Sequence, residues 1–105
     1  MKFMVEWSTR PAPTYEEGIA NEEAIIRAFS KWSVPEGVTI HAFVAKVEGP
    51  AGYILLDCDD AAILTKLAAQ FMTWNDARYV PVIDVQEAAA IYGEGVAWAK
   101  SSAAG

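Results

Sequence analysis

The 105-residue chain predicts an α+β fold of the ferredoxin-like type, βαββαβ, with one extra C-terminal helix. Three observations predict it. Hydrophobic periods of two and of 3.6 residues alternate in the order strand, helix, strand, strand, helix, strand, helix. Turn signals rich in proline and glycine separate those segments. The length fits one domain, and no linker divides it. A sheet this small is covered by helices on one face and needs a cover on the other. A second copy of the same chain is the simplest cover.

In residues 2–9, Phe3, Val5 and Trp7 share one face and Met4, Glu6 and Ser8 the other. This alternation reads as a strand whose aromatic face meets the helices. Arg10-Pro11-Ala12-Pro13 ends it, because proline cannot continue a central ladder. Thr14 with Glu17 has the form of a capping box. Ile25, Ala28, Phe29 and Trp32 then follow at helical spacing as one buried stripe. Pro35-Glu36-Gly37 turns the chain. Residues 38–48 read as a strand with His41, Phe43, Ala45 and Val47 on one face and Ile40, Ala42, Val44 and Lys46 on the other. Residues 48–52 make a hairpin connection, and residues 53–58 form the third strand.

Asp59 is placed to cap the second helix, whose stripe is Leu64, Leu67, Ala68 and Phe71. Residues 77–85 read as the fourth strand. Pro81 assigns it to a sheet edge or a bulge, since it has no N–H to donate. Asp84 and Glu87 resemble a second capping pair. Ala88, Ile91, Gly95 and Trp98 then mark a helix over 86–101, directed toward a partner chain. Residues 102–105 read as a tail. The chain is thus one domain, with a core over 1–85. The strand order expected for its sheet is 4-1-3-2.

Hydrophobic residues make up 53% of the chain, above the usual ~45–50%. The surplus argues for an interface beyond the internal core. Fourteen acidic against eight basic residues leave a net charge of −6, which argues against nucleic acid and anionic membranes as partners. The single cysteine, Cys58, has no internal partner and suits a reducing compartment. No apolar run approaches the ~20 residues of a membrane span, and residues 1–7 lack a signal-peptide pattern. A cytoplasmic location is expected.

His41 is the only histidine. Beside a carboxylate such as Glu6, a neutral imidazole can act as one half of an acid/base pair. Its plainer reading is a strand residue at an interface or sheet edge. Glu6 interrupts an apolar strand and needs a partner: Arg78, Lys46, His41 or water. Trp7, Trp32, Trp74 and Trp98 are core or interface packing by default, with Trp74 placed for a pocket rim or a dimer contact. No metal or cofactor is expected. Asp57, Asp59 and Asp60 lack the glycine and glutamate of a calcium loop. One histidine and one cysteine do not make a zinc site, and Gly93-Glu94-Gly95 follows no strand and carries no phosphate-loop pattern. Cys58 alternates with Leu56 and Ile54 as a core thiol.

Three stretches carry a family resemblance: residues 1–7, the run from Pro35-Glu36-Gly37-Val38-Thr39 through Gly52-Tyr53-Ile54-Leu55-Leu56-Asp57-Cys58-Asp59-Asp60, and Trp74-Asn75-Asp76-Ala77-Arg78-Tyr79-Val80-Pro81-Val82. Together they resemble the DUF3303 family of small bacterial proteins. The resemblance covers residues 1–85, and Asp57 stands where that family more usually has glutamate. It implies a dimeric α+β barrel, two four-stranded sheets packed face to face. It transfers no catalytic residues. That fold superfamily includes antibiotic-biosynthesis monooxygenases, haem-degrading enzymes, muconolactone isomerases and polyketide cyclases, beside proteins with no known activity. Fold analogy alone does not choose among them.

The function expected is a small-molecule-binding homodimer whose lumen takes an apolar or aromatic ligand, lined by Met4, Phe43, Tyr53, Leu55 and Trp74. The alternative is a cofactor-free monooxygenase, isomerase or cyclase using His41 and Glu6 as acid and base. A purely structural dimer, its lumen filled by side chains, is the third reading. If Val5 faces the helices, Val5→Asp leaves an unpaired charge in the core. That variant is expected to be unfolded by far-UV circular dichroism.

Overall fold

The computed structural model describes residues 1–104. In chain order the elements are β1 (Lys2–Thr9), α1 (Tyr15–Ser30), β2 (Val38–Ala45), β3 (Ala51–Cys58), α2 (Ala61–Phe71), β4 (Asn75–Val82) and α3 (Val85–Ala104). The strands form one antiparallel sheet in the order β2-β3-β1-β4. This is the βαββαβ ferredoxin-like arrangement with a C-terminal helix, in the expected strand order. Among the described residues, no helix is long and apolar enough to cross a membrane.

The core lies where the central strands meet α2. Val5 of β1 stands opposite Ile54 of β3 and Tyr79 of β4, and is 1% exposed. Leu56 is fully buried, and Val38, Cys58 and Leu67 complete the cluster. Cys58 is thus a buried thiol, its Sγ 3.3 Å from the Asp60 carbonyl oxygen. Edge strand β4 accommodates Pro81 opposite Phe3.

Local chemistry sets the element ends. The Thr14 hydroxyl accepts from the Glu17 N–H at 3.2 Å and caps α1. The cap of α2 is Asp60 and not Asp59: one Asp60 carboxylate oxygen accepts from Ala62 and Ile63. Asp59 instead pairs with the Met1 amine. Strand β2 stops at Ala45, short of 48, because the Lys46 N–H bonds to the Ala51 carbonyl and turns the hairpin. Strand β4 starts at Asn75, earlier than 77, where the Thr9 hydroxyl donates to the Asn75 side chain at 2.7 Å. Asp84 holds Lys2 at 2.6 Å at the start of α3. Helix α3 runs on to Ala104 in place of the expected tail, and Gly105 lies outside the described residues.

A β-bulge interrupts the β2–β3 ladder. Ile40 stands opposite Leu56 and Ala42 opposite Leu55, so His41 is the extra residue. A bulge shifts the side-chain alternation by one position. Ile40 and Phe43 therefore share the helix-facing side, contrary to strict alternation, while His41 reaches Asp57 on the other side.

Two glycines are dictated by close approach. Gly37 turns the chain into β2 at φ +91°, where a side chain is strained. Gly52 lies opposite Trp7, and a Cβ there would sit 2.0 Å from the Val44 carbonyl oxygen and 2.7 Å from the Trp7 ring. Gly52→Ala is therefore expected to lower stability by roughly 1–3 kcal/mol, the range for overpacking. Urea unfolding with Trp7 fluorescence as a second probe checks this, and an unchanged midpoint would contradict it.

Candidate functional site

The helix-facing side of the sheet is not filled by the helices. Helix α1 has no fully buried residue. Its stripe residues Ile25 and Phe29, with Trp32 just beyond it, instead form one wall of a cavity of about 460 Å³. The sheet supplies the floor through Val5, Trp7, Phe43 and Tyr79, and α2 closes the far side with Leu67, Ala68 and Phe71. No charged residue lines it. The volume falls within the ~300–1,000 Å³ typical of small-ligand sites.

Aromatic rings define its shape. Phe29 stacks on Trp32 at 5.7 Å and meets Phe43 edge-on at 5.6 Å. Trp32 meets Phe71 edge-on at 5.7 Å. Trp7 meets Phe43 at 6.2 Å. These are favoured geometries for aromatic pairs. The Trp32 indole N–H donates to the Gln70 side chain at 2.8 Å, which fixes the ring between α1 and α2.

Polar groups at the cavity are few. Thr9 and Asn75 satisfy each other, and the Asn75 amide also donates to the Phe71 carbonyl at 3.3 Å. Burial pushes the Tyr79 phenol above its usual range, so it stays neutral at pH 7. The indole N–H of Trp7 is buried and finds no acceptor among the described residues. Arg10 secures this end of the cavity. Its guanidinium donates to the carbonyls of Met72, Thr73 and Asn75 and pairs with Asp76 at 2.8 Å, pinning the α2–β4 connection.

The opposite side of the sheet carries a different set. Met4 and Leu55 face each other across β1 and β3, and Tyr53 stands opposite Glu6 and Val44. Glu6, Tyr53, Lys46 and Arg78 line a smaller polar pocket of about 260 Å³. Lys46 lies 5.8 Å over the Tyr53 ring. No ion pair to Glu6 is present among the described residues, although Arg78 lies opposite it.

His41 is held at the other end of this face. Its Nε2 lies 2.5 Å from a carboxylate oxygen of Asp57. Within one chain, Glu6 and His41 are not brought together. They are two strands apart, and Glu6 stands four positions along β1 from Lys2, the residue opposite Asp57. That offset is roughly 13 Å along the strand alone. The carboxylate at His41 is Asp57, which the sequence reading treated only as one of an aspartate cluster. Those three aspartates diverge, with Asp57 on His41, Asp59 on the Met1 amine and Asp60 on α2.

Of the expected lumen residues, Met4, Tyr53 and Leu55 share the uncovered face. Phe43 does not: the bulge turns it into the cavity on the helix side. Trp74 lines neither pocket, and its backbone carbonyl accepts from the Arg10 N–H at 2.8 Å. The signal that could have found the cavity is the set Phe29, Trp32, Phe43 and Phe71. Its rings are more than two helices and four strands need for one small core.

The His41 hydrogen bond holds the Asp57 carboxyl below the usual carboxylate range, with the His41 charge adding to it. A depressed folded value means that the pair's contribution is present above the unfolded pKa of about 3.9 and is lost as pH falls through the folded value. Carboxyl NMR is expected to show Asp57 titrating below 3.8 and moving upward in His41→Ala. An unmoved titration would remove His41 as the cause.

A family model described as Domain of unknown function (DUF3303) matches residues 1–96. The match extends past 85 into α3. No curated protein and no solved structure shows a significant match. Covered from its first strand into its last helix, the chain belongs to the DUF3303 family.

Proposed function

We propose that this chain binds a small, uncharged, largely apolar or aromatic molecule between its helices and its sheet. The observation that carries the reading is the cavity of about 460 Å³, walled by aromatic rings and free of charged residues. Concave sites lined mostly by apolar and aromatic side chains, with few polar groups, suit such guests. Trp7 gives the guest one preference. A buried indole N–H without an acceptor costs roughly 1–3 kcal/mol, and a carbonyl or ether oxygen on the ligand would satisfy it. On this reading the ligand sits inside each chain, and not in a lumen between two sheets.

The expected homodimer remains part of the proposal. It would cover the apolar residues Met4, Leu55 and Val44 on the uncovered face. The buried free thiol of Cys58 fits a reducing, cytoplasmic setting.

The second reading is a cofactor-free enzyme of the isomerase, cyclase or monooxygenase type. It is favoured by the His41–Asp57 contact, in which the carboxylate orients the imidazole and leaves Nδ1 for a substrate proton. Glu6 joins such a site only across an interface, from a second chain.

Titration with neutral N-phenyl-1-naphthylamine tests the first reading. Saturable fluorescence with one site per chain is expected. Ala68→Phe, which fills the cavity, is expected to weaken it at least tenfold with the fold intact. Non-saturable binding, or binding indifferent to Ala68→Phe, overturns it. The Trp32 indole resonance is expected to shift on binding. A shift confined to the His41 ring would transfer the site to the other face.

A further inference from the structure

Beyond Ala88, helix α3 carries an apolar side that nothing among the described residues of its own chain covers. On a helical projection Val85, Ile91, Tyr92, Val96 and Trp98 fall within one half of the circumference. Glu87, Glu94, Lys100 and Ser101 fall in the other. This is the pattern of a helix that lies on a surface. Yet only Ala88 is buried, and every described side chain from 89 to 103 is exposed. Trp98 is 72% exposed and Tyr92 71%.

The helix does not return to its own sheet. It begins at Val85, three residues after Val82 ends β4, and runs unbroken to Ala104. The molecule measures 67 Å along its longest axis, with a radius of gyration of 19.1 Å. A compact chain of this length has about 13 Å. The excess is the standing helix.

The chain also presents the matching surface. The side of the sheet opposite α1 and α2 bears Met4, Leu55, Val44 and Val80, flanked by the polar residues Glu6, Tyr53, Arg78 and the His41–Asp57 pair. Its strands are 8 residues long, about 26 Å. Helix α3 has 20 residues, about 30 Å. The Lys2–Asp84 pair starts the helix on this side of the sheet, since Lys2 belongs to the Met4 face. Gly95, on the apolar side, has open space where a Cβ would be. Glycine there weakens a lone helix by about 1 kcal/mol against alanine, and its use is close approach of another backbone.

We infer that α3 is an exchanged arm: in a pair of chains, each α3 lays its apolar side across the uncovered sheet face of the other. A second copy is the occupant because this chain supplies both halves of the contact. A footprint about 30 Å by 10 Å, counted on both partners and for both arms, gives roughly 1,200 Å². That reaches the lower bound for specific, stable interfaces. The arrangement differs from two sheets packed directly face to face, and it is independent of the ligand cavity on the other side of the sheet.

Sedimentation equilibrium of the full chain tests this. A particle of twice 11.4 kDa is expected. Ile91→Glu/Val96→Glu, on the apolar side, is expected to weaken the dimer at least tenfold. Ala90→Glu/Ala97→Glu, on the polar side, is expected to leave it unchanged. Because α3 stands off the core, all variants are expected to keep their strand signal in circular dichroism. Mixing Ile91→Cys chains with Leu55→Cys chains and adding a short bismaleimide is expected to yield a cross-linked heterodimer. A monomeric wild type overturns the inference, as does a dimer indifferent to the Ile91/Val96 change. A dimer that is never cross-linked between 91 and 55 also overturns it.

Discussion

Between Ile40 and Ala42, strand β2 carries one residue more than the strand it pairs with, and that residue is His41. The bulge settles which chemistry each face of the sheet holds. Before it, Ile40 packs toward the core beside Leu56; after it, Phe43 points the same way and meets Phe29, Trp32 and Trp7. Without the insertion, the alternation of a strand would turn Phe43 away from those rings and remove one wall of the cavity. The same insertion delivers His41 to Asp57. An aromatic pocket and a polar dyad thus occupy opposite sides of one strand because of a single extra residue.

The cavity depends on a second condition, the distance at which α1 and α2 are held. Large rings act here as spacers. Trp32 is locked to Gln70 of α2, and Phe71 and Phe29 meet it from two sides, so around the cavity the helices rest on one another's aromatics, while Leu67 of α2 packs into the sheet core. Arg10 fixes the connection from α2 to β4 through three backbone carbonyls. Charged hydrogen bonds of this kind are worth about 1.5–3 kcal/mol when sheltered and less at an exposed site. Rigid rings and a pinned connection keep the space open, whereas leucines in the same positions would collapse into it.

Much of this was legible in the sequence. Alternation in 2–9 located β1 to the residue, Thr14 and Glu17 marked the α1 cap, and Pro81 marked β4 as an edge. Each is a local rule with a single physical cause. Legibility failed where two local choices compete. Asp59 and Asp60 are equal candidates for a cap, and the Met1 amine, remote in sequence, draws off the first. A bulge leaves no mark in hydropathy, so strict alternation put Phe43 on the same face as His41 and gave no sign that Asp57 is the carboxylate beside His41. The cavity escaped for a related reason. A stripe of apolar residues shows that a helix face is sheltered, not whether atoms or space lie beneath it.

Composition and structure meet in one further point. A chain of this size that is 53% hydrophobic has more apolar surface than one small core absorbs. Among the described residues, the buried core is Val5, Val38, Ile54, Leu56, Cys58, Leu67 and Ala88. The remainder is divided between three surfaces: the cavity wall, the uncovered sheet face and the outer side of α3. Exposed apolar area of that extent marks a surface made to be covered. The first surface is concave and sized for a small molecule. The other two are long, similar in length and carried by the same chain. On the proposed readings, a guest on one side and a second copy on the other would enclose these three surfaces, while apolar residues such as Tyr15, Ile26, Val47 and Met72 stay exposed outside them. The two associations are also physically separate, because the sheet stands between them.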